Sequence, residues 1–313
     1  MLESAETELA AAAGAGTLAG METTTTDGTR KKRLGVVAWI AIIWLVIVVG
    51  AAILAPVLPI KDPINGYDYL NTKAGLFKAG HIFGTDDSGN DVFSRVIWGA
   101  QASLLIGVGS IVFGTLIGGF LGLFAGFKGG IADTVISAFF NIFLAFPQLV
   151  LALTLVSVFS PPGTSSARWS HRIGIVILAV GIVSIPILGR ITRANTLAWS
   201  QREFVMAARA QGATDMRVMF REVLPNVVPA MLSIALLSVA VVIVLEGALA
   251  IFGLSIPAPS PSWGNMIQSQ ISNPNSAPTV WMVPSALILL TVLALNYLGD
   301  VVRAKFDVRE AAI

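Results

Sequence analysis

The chain has 313 residues, 55% hydrophobic and 12% charged, whereas a soluble domain carries about 25% charged side chains. Together with a mean hydropathy of +0.79, this excludes a water-soluble enzyme of one or two domains and a disordered scaffold. A formal charge of +2 is too small to suggest a nucleic-acid partner, and the absence of cysteine excludes disulfides, thiolate metal sites and thiol nucleophiles.

Residues 1–33 are rich in Ala, Thr, Gly and Glu and end in Arg30, Lys31, Lys32 and Arg33. They read as a disordered cytoplasmic tail with a basic anchor. The apolar run after them, of about 25 residues, exceeds the 7–15 of a signal-peptide core, so it reads as a retained anchor helix. A helix needs roughly 20 apolar residues to cross a hydrocarbon core about 30 Å thick. Stretches free of charge but for Glu246 predict spans at 34–58, 102–126, 134–159, 227–252 and 280–298, and a sixth at 173–192 bounded by Arg172 and Arg190. The expected fold is all-α: a six-helix polytopic membrane protein with an extracytoplasmic segment 59–101 and a five-helix core over 102–300.

Orientation follows from the positive charges. With a cytoplasmic N-terminus, the inner segments hold Arg30, Lys31, Lys32, Arg33, Lys128, Arg190, Arg193, Arg202, Arg209, Arg217, Arg221, Arg303, Lys305 and Arg309, fourteen of the twenty Lys and Arg. Both termini are therefore expected inside, with 301–313 a cytoplasmic tail. The second predicted span carries Gly114, Gly118, Gly122 and Gly126, which fall on nearly one helix face and allow a close helix approach. Packing within the chain and packing against a second subunit both fit. Glu246 is the one clear ionisable residue at membrane depth. It reads either as a substrate or proton site or as a hydrogen-bonded packing residue, and the lack of a basic partner favours the second.

Catalytic motifs are missing. The two histidines, His81 and His171, fall in outer loops, neither GxSG nor HExxH occurs, and no lysine follows a glycine, so no phosphate-cradling GxxxxGK[ST] loop exists. No enzyme activity, resident cofactor or metal site is expected in this chain. If ATP drives it, another polypeptide binds the ATP.

The inner segment between the fourth and fifth spans, residues 199–226, is too charged to cross and too patterned to be a link. A helix is expected over 201–211, ended by Gly212 in a left-handed conformation, then a second short helix capped by Thr214 or Asp215 and ended by Pro225. Met216, Met219 and Phe220 are expected on its exposed surface, shaped to dock in a partner's groove. The outer segment 253–279 lacks charge and contains Pro257, Pro259, Trp263 and Gly264; it reads as a rigid, partly apolar hairpin at the outer surface. The 59–95 segment nearly balances its charges, which argues against a strong electrostatic funnel.

MAARAQG at 206–212, followed by Leu224-Pro225, resembles the EAA loop of ABC-importer permeases, with Met206 in place of the name-giving Glu and Glu222 in place of an Ile. HIFGTDDSGNDVFSRVIWGAQASLLIGV at 81–108 is similar to the signature of DppC/OppC-type permeases of bacterial di- and oligopeptide importers, with Asn90 and Gln101 where arginines are usual. GFKGGIADT (126–134), LAFPQLVLAL (144–153), LEGALAIFGLSIPAPSPSWGNMI (245–267) and NYLGDVVRAKFDVR (296–309) are similar to that branch too. The resemblance covers about 34–309. It implies a type I ABC-importer permease fold in the bacterial cytoplasmic membrane, translocating di- or oligopeptides by alternating access. It also implies a second, non-identical permease, two ATPase subunits that bind ATP and Mg, and an extracytoplasmic binding protein. The coupling element would be Met206, Ala207, Ala208, Arg209, Gly212, Ala213, Asp215, Met216, Arg217, Met219, Phe220, Arg221, Leu224 and Pro225. Pro257, Pro259, Trp263 and Gly264 would lie where the binding protein docks or the outer mouth closes. Closely similar permeases carry nickel, other metal chelates or haem. A secondary transporter is the remaining alternative, and no substrate-binding residue is assigned.

Overall fold

In a hydrocarbon environment the backbone must satisfy its own hydrogen bonds, so apolar runs of this length become helices. The computed structural model describes residues 35–66, 68–78, 80–160 and 169–310; the tail 1–33 with its basic cluster, and residues 311–313, lie outside the described residues. The chain divides into Met1–Val37 and Ala38–Ile313, and the helical bundle belongs to the second unit. Among the described residues there is no β-strand, only isolated bridges at Lys78–His81 and Thr85–Asp91.

The helices are α1 (Val36–Leu54), α2 (Val92–Lys128), α3 (Gly130–Leu144), α4 (Gln148–Phe159), α5 (Trp169–Ser200), α6 (Glu203–Ala210), α7 (Asp215–Val218), α8 (Leu224–Ile251), α9 (Trp263–Ser269) and α10 (Pro278–Glu310). Five are long and apolar enough to cross a membrane: α1, α2, α5, α8 together with the short segment before it, and α10.

The third span differs from expectation. Instead of one helix over 134–159, α3 and α4 meet at 91° across a three-residue break. Pro147 disfavours helical geometry at Phe146 and supplies no amide, so the helix stops at Leu144 and restarts. Taken together, the bent pair is long and apolar enough for one broken span or a re-entrant loop. Its first turn is held by a bidentate pair from Arg193 to Asp133, with Nη2 2.6 Å from Oδ2. Just past its end, Ser160 Oγ accepts from Arg172 Nη1 at 2.6 Å. Arg172 and Arg193 lie on one continuous helix, about 32 Å apart at 1.5 Å per residue, which is the thickness of the hydrocarbon core.

Other boundaries move outward. The second span begins at Val92 rather than 102 because Asp91 caps it, accepting from the Ser94 amide at 2.8 Å, and because Arg95 in its first turn lies 3.5 Å from Asp86. α5 runs to Ser200 because Arg190 and Arg193 are held by Asn141 and Asp133. The expected tail at 301–313 is helical as far as Glu310, as a continuation of α10.

The centre of the fold is α2 against α5. A Cβ at Gly118 would lie 2.4 Å from Ile185 O, one at Gly122 2.2 Å from Gly189 O, and one at Gly126 2.7 Å from Arg193 O; Gly114 faces Ser184 and Gly181. The glycine strip thus packs inside the chain, backbone to backbone. The small face of α5 keeps its hydroxyls satisfied internally, since Ser184, Thr192 and Thr196 each bond the carbonyl four residues earlier. α8 packs on α2 and α10, and Trp44 of α1 donates to Thr291 Oγ1 of α10 at 3.3 Å.

Candidate functional site

The inner segment forms an elbow. α6 ends where Gly212 takes φ +81°, and the Ala213 amide reaches back to Ala208 O at 3.1 Å, the six-to-one closure of a left-handed helix end. Thr214 occupies the N-cap position of α7, without a side-chain cap bond. Pro225 does not end this second helix. A π turn over Met219–Val223 carries it into α8, with the Leu224 amide bonding Met219 O five residues back. The wider turn lets the helix pass Pro225, whose ring brings no donor, and Asn226 Nδ2 donates to Glu222 O at 2.7 Å at the junction.

The elbow's underside is apolar. Val205, Val218, Met219 and Val223 are buried with Leu123, Phe127, Trp199 and Val227, while Ala208, Ala213 and Leu224 pack at the edge. Met219 is therefore 1% exposed, against the expectation that it shares the outer surface. Met219 shares a helix face with Val223, four residues on, and both join that buried cluster. Two polar contacts rim the seat: Lys128 Nζ lies 2.8 Å from Asp215 Oδ2, and the Arg209 guanidinium stacks 5.2 Å from the Phe127 ring centroid. The other face is open. Met206 and Met216 are each 57% exposed, and Ala207, Arg209, Gly212, Asp215, Arg217, Phe220, Arg221 and Pro225 are exposed with them.

At the opposite end of α8 the expected hairpin is instead the short helix α9. Its capping box pairs Ser262 Oγ with the Asn265 amide and Asn265 Oδ1 with the Ser262 amide. Pro257 is half-buried and Pro259 exposed, with a cis bond at Ala258–Pro259. Trp263 and Gly264 are buried, which removes both from any docking surface. Trp263 is 0% exposed and donates to Val96 O at 3.1 Å; a Cβ at Gly264 would lie 2.8 Å from Ala250 Cβ and 2.9 Å from Gly247 Cα. Glu246 is wholly buried and receives three serine hydroxyls.

The 81–95 signature works as a clasp, a role that the charge balance of the segment did not reveal. His81, 1% exposed, has Nδ1 2.7 Å from Asp91 Oδ1 and Nε2 3.6 Å from Asp68 Oδ2, and Lys61 Nζ lies 3.2 Å from the ring. Ser94 Oγ bonds Lys61 O. Asp87 joins the clasp to the other outer segment, accepting from Gln270 Nε2 at 2.7 Å and Ser276 Oγ at 2.8 Å, with Lys73 Nζ at 3.4 Å. Partial burial pushes the Asp87 carboxyl up, but the two hydrogen bonds and the Lys73 charge outweigh it and hold the group below its ordinary value.

A bundle of five membrane-length apolar helices and one bent pair, with an anchored, half-exposed elbow on its inner side, has the architecture of a membrane permease. Residues 118–311 match the family model described as "Binding-protein-dependent transport system inner membrane component", and the chain belongs to that family. It is 35% identical over 274 residues to the dipeptide transport system permease protein DppC of Alkalihalophilus pseudofirmus, covering 86% of this chain and 85% of the relative. It is likewise 35% identical over 271 residues to the glutathione transport system permease protein GsiD of Pectobacterium atrosepticum, covering 87% and 86%. The fold is similar to that of a chain of the MetNI methionine ABC transporter in an inward-facing conformation, with TM-score 0.55, 22% identity, and coverage of 68% of this chain and 96% of that one. The protein is a multi-pass component of the cytoplasmic membrane with the type I ABC-importer permease fold. Membership of this family implies an ATPase and a substrate-binding protein as partners.

Proposed function

We propose that this chain is one of two non-identical permeases lining the translocation path of an ABC importer for di- or oligopeptides. Two ATPase subunits, binding ATP and Mg, engage the elbow from the cytoplasm, and an extracytoplasmic binding protein delivers the peptide. The observation that carries this reading is the elbow itself: its underside is fastened to α2 and α5, it runs on into α8, and its open face combines apolar Met206, Met216 and Phe220 with cationic Arg217 and Arg221. Closure of an ATPase dimer around that face displaces the elbow, and the continuous helix passes the displacement to the spans. Gly212 gives a partner close access, since a Cβ there would meet nothing within 4 Å.

Peptide cargo is favoured over metal chelates or haem by the relatives, which are named for dipeptide, di/tripeptide and glutathione transport. The test is purification of the tagged chain in mild detergent with intact-complex mass analysis, then ATP hydrolysis with and without loaded binding protein. Recovery with one different permease and two ATPase chains, and hydrolysis stimulated by peptide, is the expected result. Recovery alone or as a homo-oligomer in several detergents would overturn it in favour of a secondary transporter.

A further inference from the structure

Glu246 sits near the outer end of α8 and is 0% exposed. Ser255 Oγ and Ser262 Oγ reach its Oε1 at 2.5 and 3.0 Å, and Ser103 Oγ of α2 reaches its Oε2 at 3.0 Å. The same Ser103 oxygen accepts the Trp263 amide at 3.2 Å. One carboxyl therefore ties three pieces together: α8, which carries it, α2, and the outer segment at both Ser255 and Ser262. Backbone packing reinforces the tie. A Cβ at Gly99 of α2 would lie 3.2 Å from the Ser262 carbonyl carbon, and one at Gly264 would lie 3.2 Å from Glu246 Oε1.

We propose that Glu246 is a positioning residue that rivets residues 255–264 to the outer halves of α2 and α8, making them one moving block. The outer mouth then opens between this block and another subunit, not by lifting of the 255–264 segment. Lifting the segment would strip a buried carboxyl of its hydroxyl donors and leave the Trp263 indole and amide unpaired, and each such loss is costly in a dry site. Asp215 and Glu246 are 31 residues apart along helix, about 46 Å at 1.5 Å per residue. A displacement at the elbow thus arrives at the outer surface through a rigid end. The proposal rests on the importer reading above.

Two experiments test it on the assembled, reconstituted complex. Val96→Cys with Met266→Cys places one thiol on α2 and one on α9, in a shared buried cluster that does not include Glu246. This chain has no native cysteine, so a short bis-methanethiosulfonate reagent, whose disulfide links a reducing agent cleaves, can join only this pair within it. The expected result is that the cross-linked pair retains peptide-stimulated ATP hydrolysis. Loss of stimulation on cross-linking, restored by reduction, would overturn the rivet. Glu246→Ala should lower stimulation about tenfold with basal hydrolysis kept, and Glu246→Gln, which can still accept from Ser255 and Ser262, should stay within about threefold of wild type. Wild-type stimulation in Glu246→Ala, or equal loss in both variants, would overturn it. If Glu246→Ala fails to assemble, Ser255→Ala combined with Ser262→Ala takes its place with the same expectation. A wild-type complex lacking ATPase chains would instead sink the importer reading.

Discussion

The two ends of α8 are fastened by opposite means. At the inner end the elbow rests on an apolar underside, rimmed by an ion pair whose partners, Lys128 and Asp215, are 43% and 53% exposed. At the outer end a directional network of hydroxyls, a carboxyl and an indole is closed off from solvent. Apolar burial is non-directional and tolerates small slides, whereas buried hydrogen bonds hold one geometry. The inner end is thus suited to take up a push and the outer end to deliver it without distortion.

The largest effect is expected from separating the helices that both ends lean on, which would erase the contrast between them. Gly122→Leu forces a side chain where even a Cβ would lie 2.2 Å from Gly189 O, so α2 and α5 must part. A loss of about 3 kcal/mol or more is expected, seen as failure to recover a monodisperse complex.

Gly212→Asp tests the inner end alone. The site is open within the chain, so membrane insertion should be intact, while a side chain on the face offered to the ATPase should lower peptide-stimulated hydrolysis by tenfold or more, about 1.4 kcal/mol of coupling. Gly212→Asn, which tolerates positive φ and carries no charge, should be milder. Normal stimulation in Gly212→Asp would count against the elbow as coupling element.

Asp87 tests how far outer rigidity depends on charge. Its folded value lies below the unfolded one, so its stabilising effect is complete above about pH 4 and lost as pH falls through the folded value. Hydrogen exchange at 85–91 and 270–276 should be insensitive to this group from pH 5 to 8 after correction for intrinsic rates, and protection should fall below about pH 4. In Asp87→Asn that acid step should vanish. The smallest effect belongs to Lys128→Ala. An exposed pair contributes little, so stimulated hydrolysis should change by less than about threefold, and raising the salt should mimic it.

Gaps between charges fall on the five long apolar helices because a charge at membrane depth is costly wherever it lacks a partner. The same logic misplaced the ends, since Arg95, Arg190 and Arg193 lie inside helices with side-chain partners on other segments. The break of the third span was signalled locally by Phe146-Pro147, although its 91° angle was not. At the elbow, Gly212 announced the turn, but the π turn at 219–223 has no local marker beyond Pro225. The outer network was the least legible part. Ser103, Glu246, Ser255 and Ser262 gain meaning only once α2 and α8 lie side by side, and nothing in their spacing foretells that.

The π turn at 219–223 also sets a phase. An α-helix turns by 100° per residue, so one residue more or fewer in that turn would rotate α6 and α7 about the axis of α8 by roughly that angle. Met216 and Arg217 would then face another quarter of the compass while every span stayed where it is. The length of five residues thus acts as a keyway, indexing the face shown to the cytoplasm against the bundle that it drives.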